Sequence, residues 1–479
     1  MSKIWSMMDV GKRSMMNSQT ALQTVSHNIA NKSTEGYSRQ RVDMKANDPV
    51  GSGNLRIGMG AKASGVSRIN NQFMEKQIEK EGNVFGHKEG KAQTLMRVEQ
   101  VFNEQLNKGI NKTMGDFFNS FRELSNNPES LAIRNLVKES AENLANDFRK
   151  TTNMLKKIQG EADYQVEVQV AEINSNIKEI ANLNARIRNA EVGGMQEAND
   201  ERDRRDHLIK DLSQKINIRY GESKDGQFTI TAGNNAILVS GSSFRELATS
   251  PTGERKDGDT TKREGNADIY YKATDSGTAV NITRQITGGQ LGGVLEVRDT
   301  FVNELLDKVD NLAHTFAKEV NMAHSQGFDR YSQTGNAFFE PTLEAKGAAE
   351  KMAVSQNLAL DVGKIAAAGQ PGSPGDNRIA NVISSLQYQQ VMEGESTFDD
   401  FYNNIVGTVG VSASRANHEL ETQKDSLSQL KNLRESISGV SLDEETAKMI
   451  EYQKMFEASA RMIRTSDEML DTVLNLKPM

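Results

Sequence analysis

Residues 449–474 read "MIEYQKMFEASARMIRTSDEMLDTVL". Met449, Phe456, Ile463 and Leu470 stand seven apart, and Gln453, Ala460, Asp467 and Leu474 follow each by four. Steps of four and three predict a helix with a coiled-coil seam. Polar and small residues interrupt it, so the seam is weak. The opposite end of the chain repeats the pattern: Ile4, Gly11, Ser18 and Val25 stand seven apart, with Met8, Met15, Leu22 and Ile29 four after each. Gly11 and Ser18 bury little area but allow close backbone approach. Each helix is marginal alone in water. Their mirrored placement favours pairing of the two ends over two helices that each pack on a neighbour.

Composition narrows the class. The chain has 479 residues, a formal net charge of −7 with both signs mixed, and no cysteine. That length fits several domains. The acidic balance argues against nucleic acid, and the missing thiols exclude cysteine catalysis, cysteine metal sites and disulfides. No run of about 18 apolar residues predicts membrane insertion. The first 30 residues lack a basic and then apolar leader, which predicts a cytosolic protein or export by a machine that reads another signal. Seven prolines in all, none between Pro128 and Pro251 or between Pro374 and Pro478, permit very long helices. Aromatic residues make up 6% and Trp5 is the sole tryptophan, which points to elongated helical packing with narrow apolar seams.

Between the ends, Tyr37–Asn47 and Gly58–Ile69 read as short strands around a Pro49–Gly53 turn region. Leu131–Ala190 is the longest helical run, with Gly160 a candidate break and Gly193-Gly194 its stop. If unbroken it spans on the order of 90 Å at 1.5 Å per residue. The segments "INIRY", "QFTITA", "AILVSG", "DIYYKA" and "AVNITRQI" alternate as strands, and "SPTGERKDGDTTKREGN" is a loop. Helix resumes at Gly293, with Leu295, Val302, Val309 and Phe316 seven apart. Gly327–Gly375 reads as looser. Val409 to Ile437 is another long seam, stopped by Gly439, after which Ser441 and Glu444 have capping-box spacing.

The fold class expected is therefore mainly α with a β-rich insert, an elongated multi-domain rod. Residues 1–35 with 445–479 read as a terminal coiled-coil domain, 36–215 with 288–444 as a helical bundle domain with short strands, and 216–287 as a β-rich insert domain.

Candidate chemistry is sparse. None of the six histidines, His27, His87, His207, His314, His324 and His418, has metal-site spacing. His314 and His324 flank a helix end and are expected at the surface or in a cap. "GGQLGG" lacks phosphate-loop and dinucleotide spacing and is expected to pass the chain from insert to helix. "ERDRRDHLIKDL" mixes signs at helical spacing, as a solvated face does. "GFDRYSQTGNAFFE" lacks calcium-loop positions and reads as a turn. "HNIANKSTEGYSRQR" at 27–41 leaves a helical pattern for a glycine turn and an extended stretch. A hydrolase using Ser26-His27 or Asp203-Asp206 is the catalytic alternative. A cytosolic coiled-coil scaffold dimerising through the central helix is the structural one.

"SHNIANKSTEGYSRQ" resembles the signature of flagellar axial proteins of the rod, hook and hook-associated classes. "GGQLGGVLEVRDTFVNELLDKVDNLAHTFAKEVNMAHSQGFD", "TGNAFF" and "SGVSLDEETAKMIEYQKMFEASARMIRTSDEMLDTVLNL" are similar to members at the hook–filament junction. The resemblance implies a non-enzymatic subunit without cofactor or metal that polymerises into a ring or helical tier and is extracellular after export. It implies hook protein and hook-associated protein 3 as neighbours, export through the flagellar type III apparatus, and a cytosolic chaperone on the C-terminal segment. The assembly interface expected comprises Ile4, Met8, Met15, Leu22, Val25, Ile29, Met449, Phe456, Ala460, Ile463, Leu470 and Leu474. Asn28, Ile29, Ala30, Asn31, Gly36 and Tyr37 form a joint, read as a hinge into the outer body.

Overall fold

The computed structural model describes residues 2–52, 55–102, 109–192, 197–223, 225–250, 266–273, 277–392 and 394–475. Helix α1 (Ser2–Ala30) leads into a two-part hairpin, β1 (Gln40–Ala46), β2 (Val50–Ser52), β3 (Leu55–Ile57) and β4 (Ala61–Arg68). Helices α2 (Gln72–Val101), α3 (Ile110–Asn126), α4 (Leu131–Glu191) and α5 (Asn199–Lys215) follow. The insert holds β5 (Ile218–Glu222), β6 (Phe228–Ala232), β7 (Ala236–Ser240), β8 (Ser243–Phe244), β9 (Leu247–Thr249), β10 (Ile269–Tyr271) and β11 (Val280–Asn281). Then come α6 (Gly289–Glu296), a π-helical turn (Val297–Phe301), α7 (Val302–Ser325), the short α8 (Ala348–Lys351), α9 (Gln356–Leu360) and α10 (Arg378–Ser385), and finally α11 (Phe398–Ser438) and α12 (Leu442–Asn475). Among the described residues no helix is long and apolar enough to cross a membrane.

Two hydrophobic cores share α4. The first takes Val137 to Ile158 of α4, with α3, α7, α10 and the upper part of α11. Phe117, Phe118, Phe121, Phe316, Phe338, Phe339 and Phe398 meet there with ring centroids 4.9–6.3 Å apart. Tilted and edge contacts of this kind add to area burial. The expectation of narrow seams therefore fails here: aromatic mass is scarce overall but gathered in one place. The stretch read as a loose turn supplies two of its rings, Phe338 and Phe339, both fully buried.

The second core takes Ala162 to Ala181 of α4 with α5, both small sheets and α6. The sheets run β5-β6-β7-β8 and β11-β10-β9, antiparallel throughout. Gly160 lies between the cores and breaks nothing, because 61 residues are continuous helix. Packing on both sides outweighs a glycine's cost of about 1 kcal/mol. A methyl at Gly160 would meet no atom within 4 Å. Gly160→Ala is thus expected to stabilise the chain by about 1 kcal/mol, seen as a raised Tm. Gly193-Gly194, Gly53 and residues 251–265 of the expected loop lie outside the described residues.

Helix resumes at Gly289, four residues earlier than expected. "GGQLGG" passes the chain from the insert into this helix, as expected, and is a contact surface as well. Methyls at Gly86 and Gly90 of α2 would collide with the backbones of Gln214 and Gln290, and a methyl at Gly293 with the backbone of His87 and Lys91. Glycines on both helices let α2 and α6 touch backbone to backbone. The π turn that follows is secured from α4, where Gln159 Nε2 donates to Arg298 O at 3.1 Å and to Asn303 Oδ1 at 2.8 Å.

His324 departs from the surface role expected of it, since it is fully buried. Its Nδ1 lies 2.8 Å from Asn336 O, and its Nε2 accepts from Ala366 N at 2.8 Å. That pattern requires one proton on the ring. Burial holds the imidazole pKa down at about 4. The unfolded chain takes up the proton below about 6.5 and the folded one only below about 4, so this stabilisation is present above 6.5 and lost as pH falls through that window. The loss is expected to reach about 3 kcal/mol. Urea unfolding at pH 7 and pH 4.5 should show it in the native chain and not in His324→Gln.

Candidate functional site at the meeting of the two chain ends

Helix α1 runs antiparallel to α12. Asn28 meets Glu445, Ser14 Oγ lies 2.7 Å from Ser459 Oγ, and Gly11 faces Ile463. A methyl on Gly11 would come within 2.8 Å of Ile463 Cγ1, so the glycine sets how closely the helices approach. The buried stripe of α1 is Gly11, Ser18, Ala21, Thr24, Val25 and Asn28. On α12 the buried row is Glu445, Ser459 and Ser466, joined by Leu470. Serine hydroxyls are satisfied locally: Ser18 Oγ donates to Ser14 O at 2.9 Å, and Ser466 Oγ to Met462 O at 2.8 Å.

The seam is therefore displaced from the one expected. Ile4, Met8, Met15, Leu22 and Ile29 are half-buried on its edge, as are Met449, Phe456, Ala460 and Ile463. Gln453, Asp467 and Leu474 are exposed. The second row of α12 falls one residue earlier, at 445, 452, 459 and 466. The reason is steric: small side chains let backbones approach where larger ones hold them apart.

Asn28 anchors the joint. It is buried, and all four of its hydrogen-bonding positions are used. Its Nδ2 donates to Gln40 O at 2.9 Å and to Glu445 Oε2 at 2.8 Å. Its Oδ1 accepts from Tyr37 Oη at 2.8 Å and Gln40 N at 2.9 Å. One amide thus ties α1, β1 and α12 together. Burial, then the carboxylates of Asp200, Asp203 and Glu445, push the Tyr37 phenol up from its ordinary pKa, which keeps it a donor. The turn itself needs Gly36 at φ +82°.

Arg434 closes the other side. Its Nη2 donates to Gly36 O and Tyr37 O, both at 3.1 Å, and its Nε to Glu75 at 3.3 Å. Asp203 of α5 accepts from Ser38 N at 2.8 Å and Arg68 at 2.7 Å, and Asp206 takes the same arginine at 3.0 Å. The carboxylates weighed as a catalytic pair are thereby both bound to one cation. His27 lies 3.2 Å from Asp200 and packs edge-on against Tyr37, while Ser26 is exposed. Among the described residues no cluster of three His, Asp or Glu side chains is placed to hold a metal.

"HNIANKSTEGYSRQR" is thus pinned by α5, α11 and α12 and paired with β4, which makes it a fixed joint instead of a hinge. Ala30 is exposed, and Asn31 is half-buried with Nδ2 donating to His27 O at 3.1 Å. Arg434, Arg68 and Glu445 were missed in the sequence, and Asp203, weighed there as a catalytic carboxylate or part of a solvated face, is buried, as is Arg205. Glu445 alone left a signal, seven and fourteen residues before Tyr452 and Ser459. Glu444 forms only part of the expected capping box: its N lies 3.5 Å from Ser441 Oγ, and its carboxylate goes to Arg39.

Two ends folded against each other and fastened to a long-helix body define an axial structural protein of the flagellar rod and hook class. Residues 434–476 match the family model of the flagellar basal body rod FlgEFG protein C-terminal, and residues 95–339, just over half the chain, match the flagellar hook-associated protein FlgK helical domain. The chain belongs to the flagellar hook-associated protein FlgK family. It is 28% identical to flagellar hook-associated protein 1 of Bacillus subtilis, over 98% of this chain and 97% of that one. Identity to flagellar hook-associated protein 1 of Salmonella typhimurium is 26%, over 96% and 97%. The fold matches the flagellar hook junction protein FlgK from Burkholderia pseudomallei with a TM-score of 0.67 at 15% identity, over 76% of this chain and 100% of that one. These relationships overturn the cytosolic scaffold alternative.

Proposed function

We propose that the chain is a non-enzymatic structural subunit of the bacterial flagellum, polymerising at the hook–filament junction and connecting hook to filament. The observation that carries this reading is the antiparallel pair of chain ends, fastened to the body at Asn28 and leaving apolar side chains uncovered. Trp5, Met16, Ile450 and Leu474 are exposed along the two helices, where a neighbouring subunit would cover them. The division proposed places 1–35 with 445–479 innermost, 36–215 with 288–444 in the middle and 216–287 outermost.

Head-to-tail contacts between different surfaces build a ring or helical tier. Hook protein lies on one side and hook-associated protein 3 on the other. Before export the weak terminal helices are unpaired, with a cytosolic chaperone on the C-terminal segment, which keeps the chain threadable through the type III apparatus, and they fold as neighbours supply partners. The half-buried Met8, Met15, Phe456 and Ile463 then lose their remaining exposure between subunits. Phe456→Ala is expected to weaken binding of the purified chain to isolated hook ends by roughly 2 kcal/mol, about half the cost of a fully buried phenylalanine, with the circular dichroism of the body unchanged. Binding equal to the native chain would count against the reading.

A further inference from the structure

The terminal helices are rich in methionine. Helices α1 and α12 hold eight of the chain's 20 methionines in about an eighth of its length, and with no cysteine present these thioethers are its sole sulfur chemistry. Met455, Met462 and Met469 recur every seven residues. At 3.6 residues per turn this row lies about 50° to one side of Ser459 and Ser466, and Phe456, Ile463 and Leu470 lie about 50° to the other. Gly11 seats α1 on the Ile463 flank, which leaves the methionine flank open. Met455 and Met469 are each 46% exposed, and Met462 is half-buried.

Helix α1 carries a complementary uncovered face. Trp5, at 59% exposure, and Met16, at 56%, lie eleven residues apart, about three turns along the same side. Charge matches as well: α1 has Lys3, Lys12 and Arg13 against Asp9, whereas α12 has eight acidic residues against four basic. Unbranched thioethers fill irregular gaps and tolerate different partners.

We propose that Met455, Met462 and Met469 form the seat on which the Trp5–Met16 face of α1 from a second copy docks, and that peroxide closes this seat. The inference rests on the assembly reading above. Each thioether takes one oxygen from a peroxide; the sulfur is oxidised by two electrons to the sulfoxide, the peroxide O–O bond breaks and water leaves. The product is polar and disrupts an apolar contact.

The cysteine-free chain allows a direct test. Full-length Met16→Cys and Met462→Cys variants are mixed, bound to isolated hook ends and oxidised, with Tyr164→Cys on exposed α4 as control. A disulfide-linked dimer of the first two, absent with the control, is expected. Met455→Cys and Met469→Cys repeat the test one helical step either way. If the variants bind hook ends and none of the three positions links to Met16→Cys, the seat is overturned while the assembly reading stands. If the unmodified chain does not bind hook ends, the assembly reading fails and the seat fails with it. In a second arm the native chain is treated with hydrogen peroxide until the three sulfoxides form. Binding is expected to fall at least tenfold, to return after methionine sulfoxide reductase treatment, and to persist in the variant with Met16, Met455, Met462 and Met469 all changed to leucine. Undiminished binding by the oxidised native chain would overturn the peroxide effect.

Discussion

Gly90→Ala will keep α2 and α6 from closing on each other, at a cost of roughly 4 kcal/mol. The added methyl meets the backbone of Gln290, so no side-chain rotation relieves it. Overpacking against backbone shifts whole helices, which puts the cost at the upper end for such changes. The crossing also carries the second core, since Leu291, Val294 and Leu295 of α6 lie in it with both sheets. Chemical denaturation should show a lower midpoint, together with loss of insert protection in hydrogen exchange. Gly82→Ala, about two turns earlier on the same helix, is the control. Nothing lies within 4 Å of its added methyl, and it should gain about 1 kcal/mol. Equal behaviour of the two variants would refute the backbone-contact account.

Asn28→Ala is expected to release the paired ends from the body. The change leaves Tyr37 Oη, both polar groups of the Gln40 backbone and the buried Glu445 carboxylate without that partner. Orphaned buried groups cost about 1–3 kcal/mol each; with some recovered by water, the net loss is roughly 4 kcal/mol. In the assembled subunit, amide exchange in α1 and the first turns of α12 should quicken about a thousandfold, while the phenylalanine core keeps its protection. Asn28→Asp is expected to do no better. A carboxylate cannot donate to Gln40 O, and it would face Glu445 at the distance of a hydrogen bond.

Periodicity carried most of the long elements. The seams of α4 and α7 were legible because large apolar side chains repeat on one face and end up buried on it; that of α11 fails at its end, where Ile437 is exposed and Arg434 and Ser438 are buried instead. The terminal pair was legible as a pair but not in register. Ser459 and Ser466 are buried where a hydrophobicity pattern selects Ala460 and Leu474, since close approach depends on what is small. The α2–α6 contact was hidden for the same reason: Gly86 and Gly90 are uninformative until Gln214 and Gln290 are known to lie against them. The joint was visible as a change of pattern at Asn28–Tyr37. Its partners were not, because Arg434 and Glu445 stand more than 390 residues away and long-range polar pairing leaves no local trace. His324 and the Phe338-Phe339 pair show the limit of composition, which counts residues without saying where they gather.

Helix α4 belongs to both cores, and no loop separates its two halves. A force applied at the sheets of the insert therefore reaches the phenylalanine cluster along one unbroken column of peptide hydrogen bonds, about 90 Å from end to end. Such a column resists bending far better than a linker would. In a propeller shaft that turns under viscous drag, the part between two dissimilar tubes must pass on torque without absorbing it, and α4 gives each copy a stiff spoke for that purpose.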